Sequence, residues 1–274
     1  MRDAVGVSVT KALHLLDGRP WDHSPWVDPL SLLGCYTSFV VDADAGVTDL
    51  SAHLDRLVRD SVVLLGQAVD RDRVRRLAAE HVATVGTPVR LRVAVLAQTP
   101  PLQPQEVRSL HIATSSRPVP PQPGGPWSVQ TVPHRRVRAQ VKTVDPFVQL
   151  HLKREARLAG FDDALLTRGG DLLEGTTWGL VAVGPDSVIA PQRDVLPSLG
   201  VARLLRAAGA IGLAVERRPL PAAELRGLRL LLAVSAVTAA VPVVRVDDVG
   251  VAIDVPLLEQ LRAGAANVAS EPLS

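Results

Sequence analysis

Residues 141–183 read VKTVDPFVQLHLKREARLAGFDDALLTRGGDLLEGTTWGLVAV. The stretch predicts a helix, a hairpin and further strands, in that order. Asp145 can N-cap the helix, Pro146 suits the first helical position, and Gly160 can end it in the left-handed conformation. DALLT, the turn RGGD and LLEGTT then read as a β-hairpin, because Gly169 and Gly170 tolerate positive φ. GLVAV and SVIA continue as strands around a Pro185-Asp186 turn. Two charged residues bracket this run. Lys142 lies between a strand and the helix cap, and Glu174 ends a hairpin strand 32 positions later, just before Gly175-Thr176-Thr177-Trp178. Only tertiary structure brings such a pair together.

Upstream, residues 34–42 (GCYTSFVVD) predict a strand and 51–66 (SAHLDRLVRDSVVLLG) a helix. Ser51 is the candidate N-cap and Gly66 the stop, while Leu54, Leu57, Val58, Ser61, Val62 and Leu65 recur as one buried face. A second helix over 70–85 starts at Asp70, and strands follow at 88–97 and 109–115. Residues 1–33 read as irregular, with Trp21, Pro25, Trp26 and Pro29 in loops. The clearest boundary is RPVPPQPGGPW at 117–127, whose five prolines and two glycines can continue neither a helix nor a central strand. It reads as the linker between a domain at 1–116 and a larger one at 128–274, the alternative being a long proline-rich surface loop within one domain. In the larger domain SVQTVP is a strand, and His134 with its arginine neighbours reads as a solvated strand. SLGVARLLRAAGA (198–210) is a helix with Ser198 as cap and Gly209 as stop, and PLLEQLRAGAANV closes the chain as a helix. Strands and helices mix without regular βαβ alternation, so the class is α+β with a barrel-like larger domain.

Composition narrows the function. The 274 residues are 47% hydrophobic, with 30 Lys+Arg against 28 Asp+Glu, a net charge of +2. That balance leaves no nucleic-acid or membrane-surface footprint. A lone cysteine, Cys35, excludes an intrachain disulfide and fits a reducing cytoplasm. The N-terminus lacks the long apolar run of a signal peptide, and the apolar run from Leu230 to Val244, broken by Ser235, Thr238 and Pro242, is too short to span a membrane. The seven histidines show no metal-ligand spacing. Walker loops, Gly-x-Ser-x-Gly elbows and dinucleotide fingerprints are absent.

What remains is a lysine able to form a Schiff base and a carboxylate able to hold a pyridinium nitrogen, the two protein groups pyridoxal phosphate (PLP) chemistry most needs. Gly200-Val201-Ala202 open a helix whose free N–H groups and dipole suit a phosphate. Arg56 offers a bidentate guanidinium, and Ser235 and Thr238 offer hydroxyls at an apolar strand end.

Five motifs in order resemble the class IV, fold-type IV PLP enzymes, which include branched-chain and D-amino-acid aminotransferases and 4-amino-4-deoxychorismate lyase. They are His53-Leu54-Asp55-Arg56-Leu57; Lys142 followed by Glu155-Ala156-Arg157-Leu158-Ala159-Gly160; Glu174-Gly175-Thr176; Leu199-Gly200-Val201-Ala202-Arg203; and Pro242-Val243 with its strand. The resemblance implies a small α/β domain plus a larger pseudo-barrel domain, in a homodimer, with the active site between the domains. It implies that Lys142 carries the cofactor as a Schiff base and shuttles a proton, and that Glu174 binds the pyridine nitrogen. It implies that Arg56, the amides of Val201 and Ala202, and Ser235 with Ala236 cup the phosphate. Tyr36, Arg136, Arg138 and Phe147 are candidates for contact with the substrate, an amino acid or a 2-oxo acid. Four positions depart from the pattern: Phe147 stands where many members have Tyr, Gly179 where Asn is usual, Ala202 for Thr, and Ala236 for Ser or Thr. The expected activity is a PLP-dependent aminotransferase. The alternatives are a lyase of the aminodeoxychorismate type, or a relative that has lost PLP and binds another ligand.

Overall fold

The computed structural model describes residues 13–20, 33–99, 103, 105–123, 125–238 and 240–274. They fall into two units, Met1–Pro120 with Ser270–Ser274, and Pro121–Ala269. The division lies inside the Pro/Gly-rich stretch.

The first unit opens with a hairpin, β1 (His14–Leu16) and β2 (Arg19–Pro20), inside the span expected to be irregular. Trp21, Pro25, Trp26 and Pro29 lie outside the described residues. Next come β3 (Leu33–Val41), β4 (Gly46–Thr48), α1 (Leu50–Leu65), α2 (Arg71–Val85), β5 (Val89–Gln98) and β6 (Ser109–Arg117). The sheet runs β2-β1-β6-β5-β3, antiparallel throughout. Side chains alternate across a strand, so Cys35, Thr37, Phe39 and Val41 share the buried face of β3. Two histidines pin the helices to that face: His53 Nδ1 lies 2.6 Å from Thr37 Oγ1, and His81 Nδ1 2.8 Å from Thr114 Oγ1. Burial lowers the His81 pKa to about 4, so it stays neutral.

In the second unit come β7 (Trp127–Pro133), α3 (Phe147–Leu158), β8 (Asp163–Arg168), β9 (Asp171–Gly175), β10 (Gly179–Val183) and β11 (Ser187–Ala190). They are followed by α4 (Leu199–Ala210), β12 (Ala214–Arg217), β13 (Leu220–Pro221), a 3₁₀ turn (Ala222–Gly227), β14 (Leu230–Val234), β15 (Val241–Val246), β16 (Val249–Gly250) and α5 (Val255–Ala266). The strands form one mixed, curled half-barrel sheet in the order β12-β11-β10-β14-β15-β7-β8-β9-β13, with β16 on β15. Both faces of its centre are buried. Leu180, Ala182, Leu231 and Ala233 pack with Val129, Leu165 and Val243 on one side. Val181, Val183, Leu230 and Leu232 pack against Leu204, Leu205, Leu258 and Leu261 of α4 and α5 on the other. Each buried leucine contributes about 1.5–3 kcal/mol, so the apolar runs read from the sequence fix this layer.

Several expected boundaries shift. Helix α1 is capped by left-handed Asp49, and Ser51 instead donates its N–H and hydroxyl to Glu271. Glu271 belongs to β17 (Ser270–Pro272), which pairs with β4. The last five residues, assigned by composition to the larger domain, therefore group with the first unit. An acidic side chain at a helix N-terminus explains that return. Asp145 accepts from Phe147 N, but Pro146 takes the cap position of α3. Helix α4 runs through Gly209, and the left-handed residue beyond it is Gly212. His134 to Arg138 form loop and turn instead of strand, since β7 and its parallel partner β8 stop pairing at Pro133 and Thr167. Among the described residues no helix is long and apolar enough to cross a membrane.

One buried network ties α3 to the turn after β9. Fully buried Asp163 accepts from Lys153 Nζ and Thr176 Oγ1, each at 2.6 Å, and from the Ala164 amide at 2.8 Å. Stripping one partner from a buried ion pair costs more than losing a neutral hydrogen bond, so Asp163→Ala is expected to lower the unfolding free energy by about 3 kcal/mol and Thr176→Val by about 1 kcal/mol. Urea titration at neutral pH measures both, and equal losses would show that the network is not organised around the Lys153 charge.

Candidate functional site

The loop after β7 carries Lys142. Arg138 adopts a left-handed φ of 50°, and its carbonyl accepts from Val141 N at 2.9 Å, which closes a tight turn. From within the loop, Arg136 Nη2 donates to the Val141 carbonyl at 2.9 Å. The residue immediately before Lys142 is thus held from both sides.

Glu174 reaches the site from the β8–β9 hairpin, whose turn uses Gly169 and Gly170 at φ 60° and 90°, as read from the sequence. The next residue is glycine for a steric reason: a Cβ on Gly175 would lie 1.8 Å from the Trp178 ring. Glu174 is 4% exposed. Its Oε2 accepts from Leu196 N at 3.0 Å, while its Oε1 accepts no hydrogen bond and faces Arg136 Nη1 at 3.6 Å. Burial pushes the Glu174 pKa up, and Arg136, the Leu196 amide and Lys142 oppose that shift by attraction. Lys142 thus lies near enough to act electrostatically on Glu174, and Arg136 lies beside that carboxylate and on the Val141 carbonyl.

Two further segments meet near the end of β10. A Cβ on Gly200 would lie 2.3 Å from the Ser235 carbonyl oxygen, so the start of α4 sits directly on the Ser235 backbone. The Ser235 hydroxyl accepts from Val237 N and Thr238 N at 3.2 and 3.1 Å and lies 2.7 Å from Thr238 Oγ1, which orders the turn containing Ala236. Gly179 pairs with Val234 in the sheet, and a Cβ there would lie 2.5 Å from Val201 Cγ2 and 3.1 Å from Ser198 Cβ. The amides expected to be free are engaged: Val201 N donates to Ser198 Oγ at 3.3 Å, and Ala202 N to the Ser198 carbonyl at 3.0 Å. The sequence marked Ser198 as the cap, and that role implies competition for the same amides. The Leu196 amide, by contrast, left no signal in the sequence.

The remaining candidates have other surroundings. Arg135 pairs with Asp194 at 3.2 Å, Arg138 is exposed, and both border a cleft of about 320 Å³ with Arg136, Gln140, Gln192 and Val195. Phe147 is 70% exposed and stacks on His151 at 6.1 Å. In the first unit, burial lowers buried Arg56 to a pKa of about 10, with Asp60 opposing, so it remains a cation at neutral pH. The Tyr36 ring lies under the Arg92 guanidinium at 4.7 Å. Burial pushes the Cys35 thiol up to about 12, which removes it as a nucleophile. Among the described residues no group of His, Cys, Asp or Glu could hold a metal ion.

The profile of the amino-transferase class IV family matches residues 34–246. The chain belongs to that family. Its members depend on PLP. This class IV chain also matches solved structures over most of its length. A branched-chain aminotransferase from Thermoproteus uzoniensis, solved with norvaline, has 18% identity, covers 93% of each chain and gives a TM-score of 0.81. A PLP-bound hypothetical aminotransferase from Mycobacterium tuberculosis has 19% identity, covers 93% of this chain and 98% of its own, and gives 0.77. A putative 4-amino-4-deoxychorismate lyase from Legionella pneumophila has 15% identity, covers 95% and 94%, and gives 0.75. At such identities the likeness establishes the fold. No curated protein sequence matches.

Membership sharpens one departure from the family pattern. Gly179 stands where Asn is usual, yet the space beside it is filled by Val201 and Ser198. Restoring the common residue is expected to harm this chain: Gly179→Asn overpacks the start of α4 and lowers stability by about 1–3 kcal/mol. Chemical denaturation of the variant measures this, and a neutral or stabilising result would mean that the α4 contact gives way easily.

Proposed function

We propose that this class IV chain is a PLP-dependent aminotransferase that moves an amino group between an amino acid and a 2-oxo acid. The observation that carries the reading is the Glu174 carboxylate: buried, fixed through Oε2, with Oε1 accepting nothing, and close enough to Lys142 to feel its charge. An oxygen so placed suits one strong N–H donor, which a protonated pyridine nitrogen is. Bound PLP supplies an electron sink for the substrate's α-carbon.

The chain's own residues take the following roles. Lys142 would hold the cofactor's aldehyde carbon and, once released, would move the proton at the substrate's α-carbon. Glu174 would accept from the ring nitrogen and favour its protonated form. The start of α4, with the amides of Val201 and Ala202, and the turn of Ser235 and Ala236 would hold the phosphate; the resemblance alone offers Arg56 as a guanidinium for it. Arg138 and Tyr36 remain candidates for the substrate. Arg136 leaves that group, because its guanidinium is divided between Val141 and Glu174. Phe147, exposed and without a polar atom, offers apolar contact only. The functional unit is a homodimer, and its partners are small molecules.

Purified protein with added PLP is expected to develop a visible cofactor band that Lys142→Ala abolishes, with transamination reduced at least about 1,000-fold. A colourless wild-type protein would reject the cofactor, and turnover surviving in Lys142→Ala would reject the lysine's role. The family also contains aminodeoxychorismate-type lyases, and the Legionella structure has the same fold. Exchange of an amino donor with 2-oxoglutarate supports the transferase, whereas pyruvate release from aminodeoxychorismate without exchange replaces it by the lyase.

A further inference from the structure

We propose that Arg136 is a positioning residue that couples the Lys142 loop to Glu174 and favours the ionised form of that carboxylate. The inference rests on the reading of Lys142 and Glu174 given above. Three arginines lie close together in sequence, and their surroundings separate them. Arg138 is exposed, and Arg135 is 57% exposed and pairs with Asp194. The Arg136 side chain is only 10% exposed, with its two terminal nitrogens on different targets: Nη2 on the Val141 carbonyl at 2.9 Å, Nη1 beside Glu174 Oε1 at 3.6 Å. A planar guanidinium can span two such acceptors, and a lysine ammonium on its flexible stem cannot reproduce that division.

The chemistry follows from the state of Glu174. An ionised carboxylate accepts from a protonated ring nitrogen and stabilises that form. A protonated carboxyl would itself be a donor and would favour the unprotonated ring. Burial drives Glu174 towards protonation. The groups that face it are Arg136 and Lys142 from the loop after β7 and the Leu196 N–H from the loop after β11. Of these, Arg136 exerts the largest opposing attraction and is held in place by the same loop that carries Lys142. One side chain thus ties down the lysine loop and favours the ionised form of the acid.

The sign of the pH effect is set by linkage. An acid whose folded-state pKa is raised binds more protons folded than unfolded, so stability falls as pH rises from the ordinary carboxylate value through the folded one. Without Arg136 the folded pKa rises further, and the loss becomes larger at neutral and alkaline pH than at acid pH. The test uses full-length apoprotein of wild type, Arg136→Gln, Arg136→Lys, Glu174→Gln and the Arg136→Gln/Glu174→Gln double variant. Thermal unfolding is measured at about pH 5 and about pH 8, and PLP affinity by titration.

Arg136→Gln is expected to lower the melting temperature by roughly 5 °C more at the higher pH than at the lower. That pH-dependent part should vanish in the Glu174→Gln background. Arg136→Lys should restore the pH profile of stability while still binding PLP at least about 10-fold more weakly than wild type, because the tie to Val141 is lost. A loss equal at both pH values, or one that persists with Glu174→Gln, would reduce Arg136 to a packing role and overturn the inference. So would a PLP affinity unchanged in both Arg136 variants. If Arg136→Gln does not fold, Arg136→Met is put through the same cycle. A wild type that binds no PLP overturns the proposed function instead, and the apoprotein stability cycle then decides the role of Arg136 alone.

Discussion

The carboxyl of Glu174, which burial drives toward protonation and neighbouring positive groups draw back toward charge, is the constraint on which the rest of the second unit depends. The sheet buries both faces at its centre, so polar groups are confined to strand ends and loops. Glu174 lies at such an end, next to last in β9, and is nearly inaccessible. A buried ion costs several kcal/mol unless opposite charge and hydrogen bonds compensate it. Compensation comes from three backbone segments that do not touch in sequence: Arg136 and Lys142 from one loop, the Leu196 amide from another, and the hairpin that presents the carboxylate. The requirement to neutralise one group therefore assembles the neighbourhood of the lysine.

Close approach of backbone does the remaining positioning, and glycine is what permits it. Gly175 lies under the Trp178 ring, Gly200 rests on the Ser235 carbonyl, and Gly179 faces Val201 and Ser198. At each point a methyl group would fall below contact distance. The α4 start is thereby held against the Ser235 backbone through Gly200 and against the start of β10 through Gly179. At Gly179 the absence of a side chain lets the Val201 and Ser198 side chains pack directly against the strand.

The residues show what a sequence can and cannot disclose. The Gly169-Gly170 turn, the Ser198 cap and the apolar strands were legible because each is fixed by local chemistry: positive φ, an orphan amide, alternation or a continuous apolar run. The loop from His134 to Arg138 was not. Its composition reads as a strand, yet its shape depends on Arg136 reaching Val141 and Glu174, a contact that no local pattern encodes. The same holds for Ser51, whose capping role passes to Glu271 from the far end of the chain. Motif order identifies the family, but an arginine near the lysine reads alike whether it meets a substrate or, as Arg136 does, the Val141 carbonyl and the Glu174 carboxyl.

The engaged amides at the start of α4 need a magnitude to be interpreted. Val201 N is satisfied by the Ser198 hydroxyl, a neutral cap worth about 1 kcal/mol. A phosphate carries nearly two negative charges, and each charge-assisted hydrogen bond it makes contributes about 1.5–3 kcal/mol, with the helix dipole adding to the attraction. Against a gain of that size the loss of the cap would be a small cost. The long distance of that cap, 3.3 Å, already lies beyond the usual range for an N–H···O bond. A weakly held hydroxyl thus lies over the start of α4, and Gly200 brings the Ser235 turn alongside it.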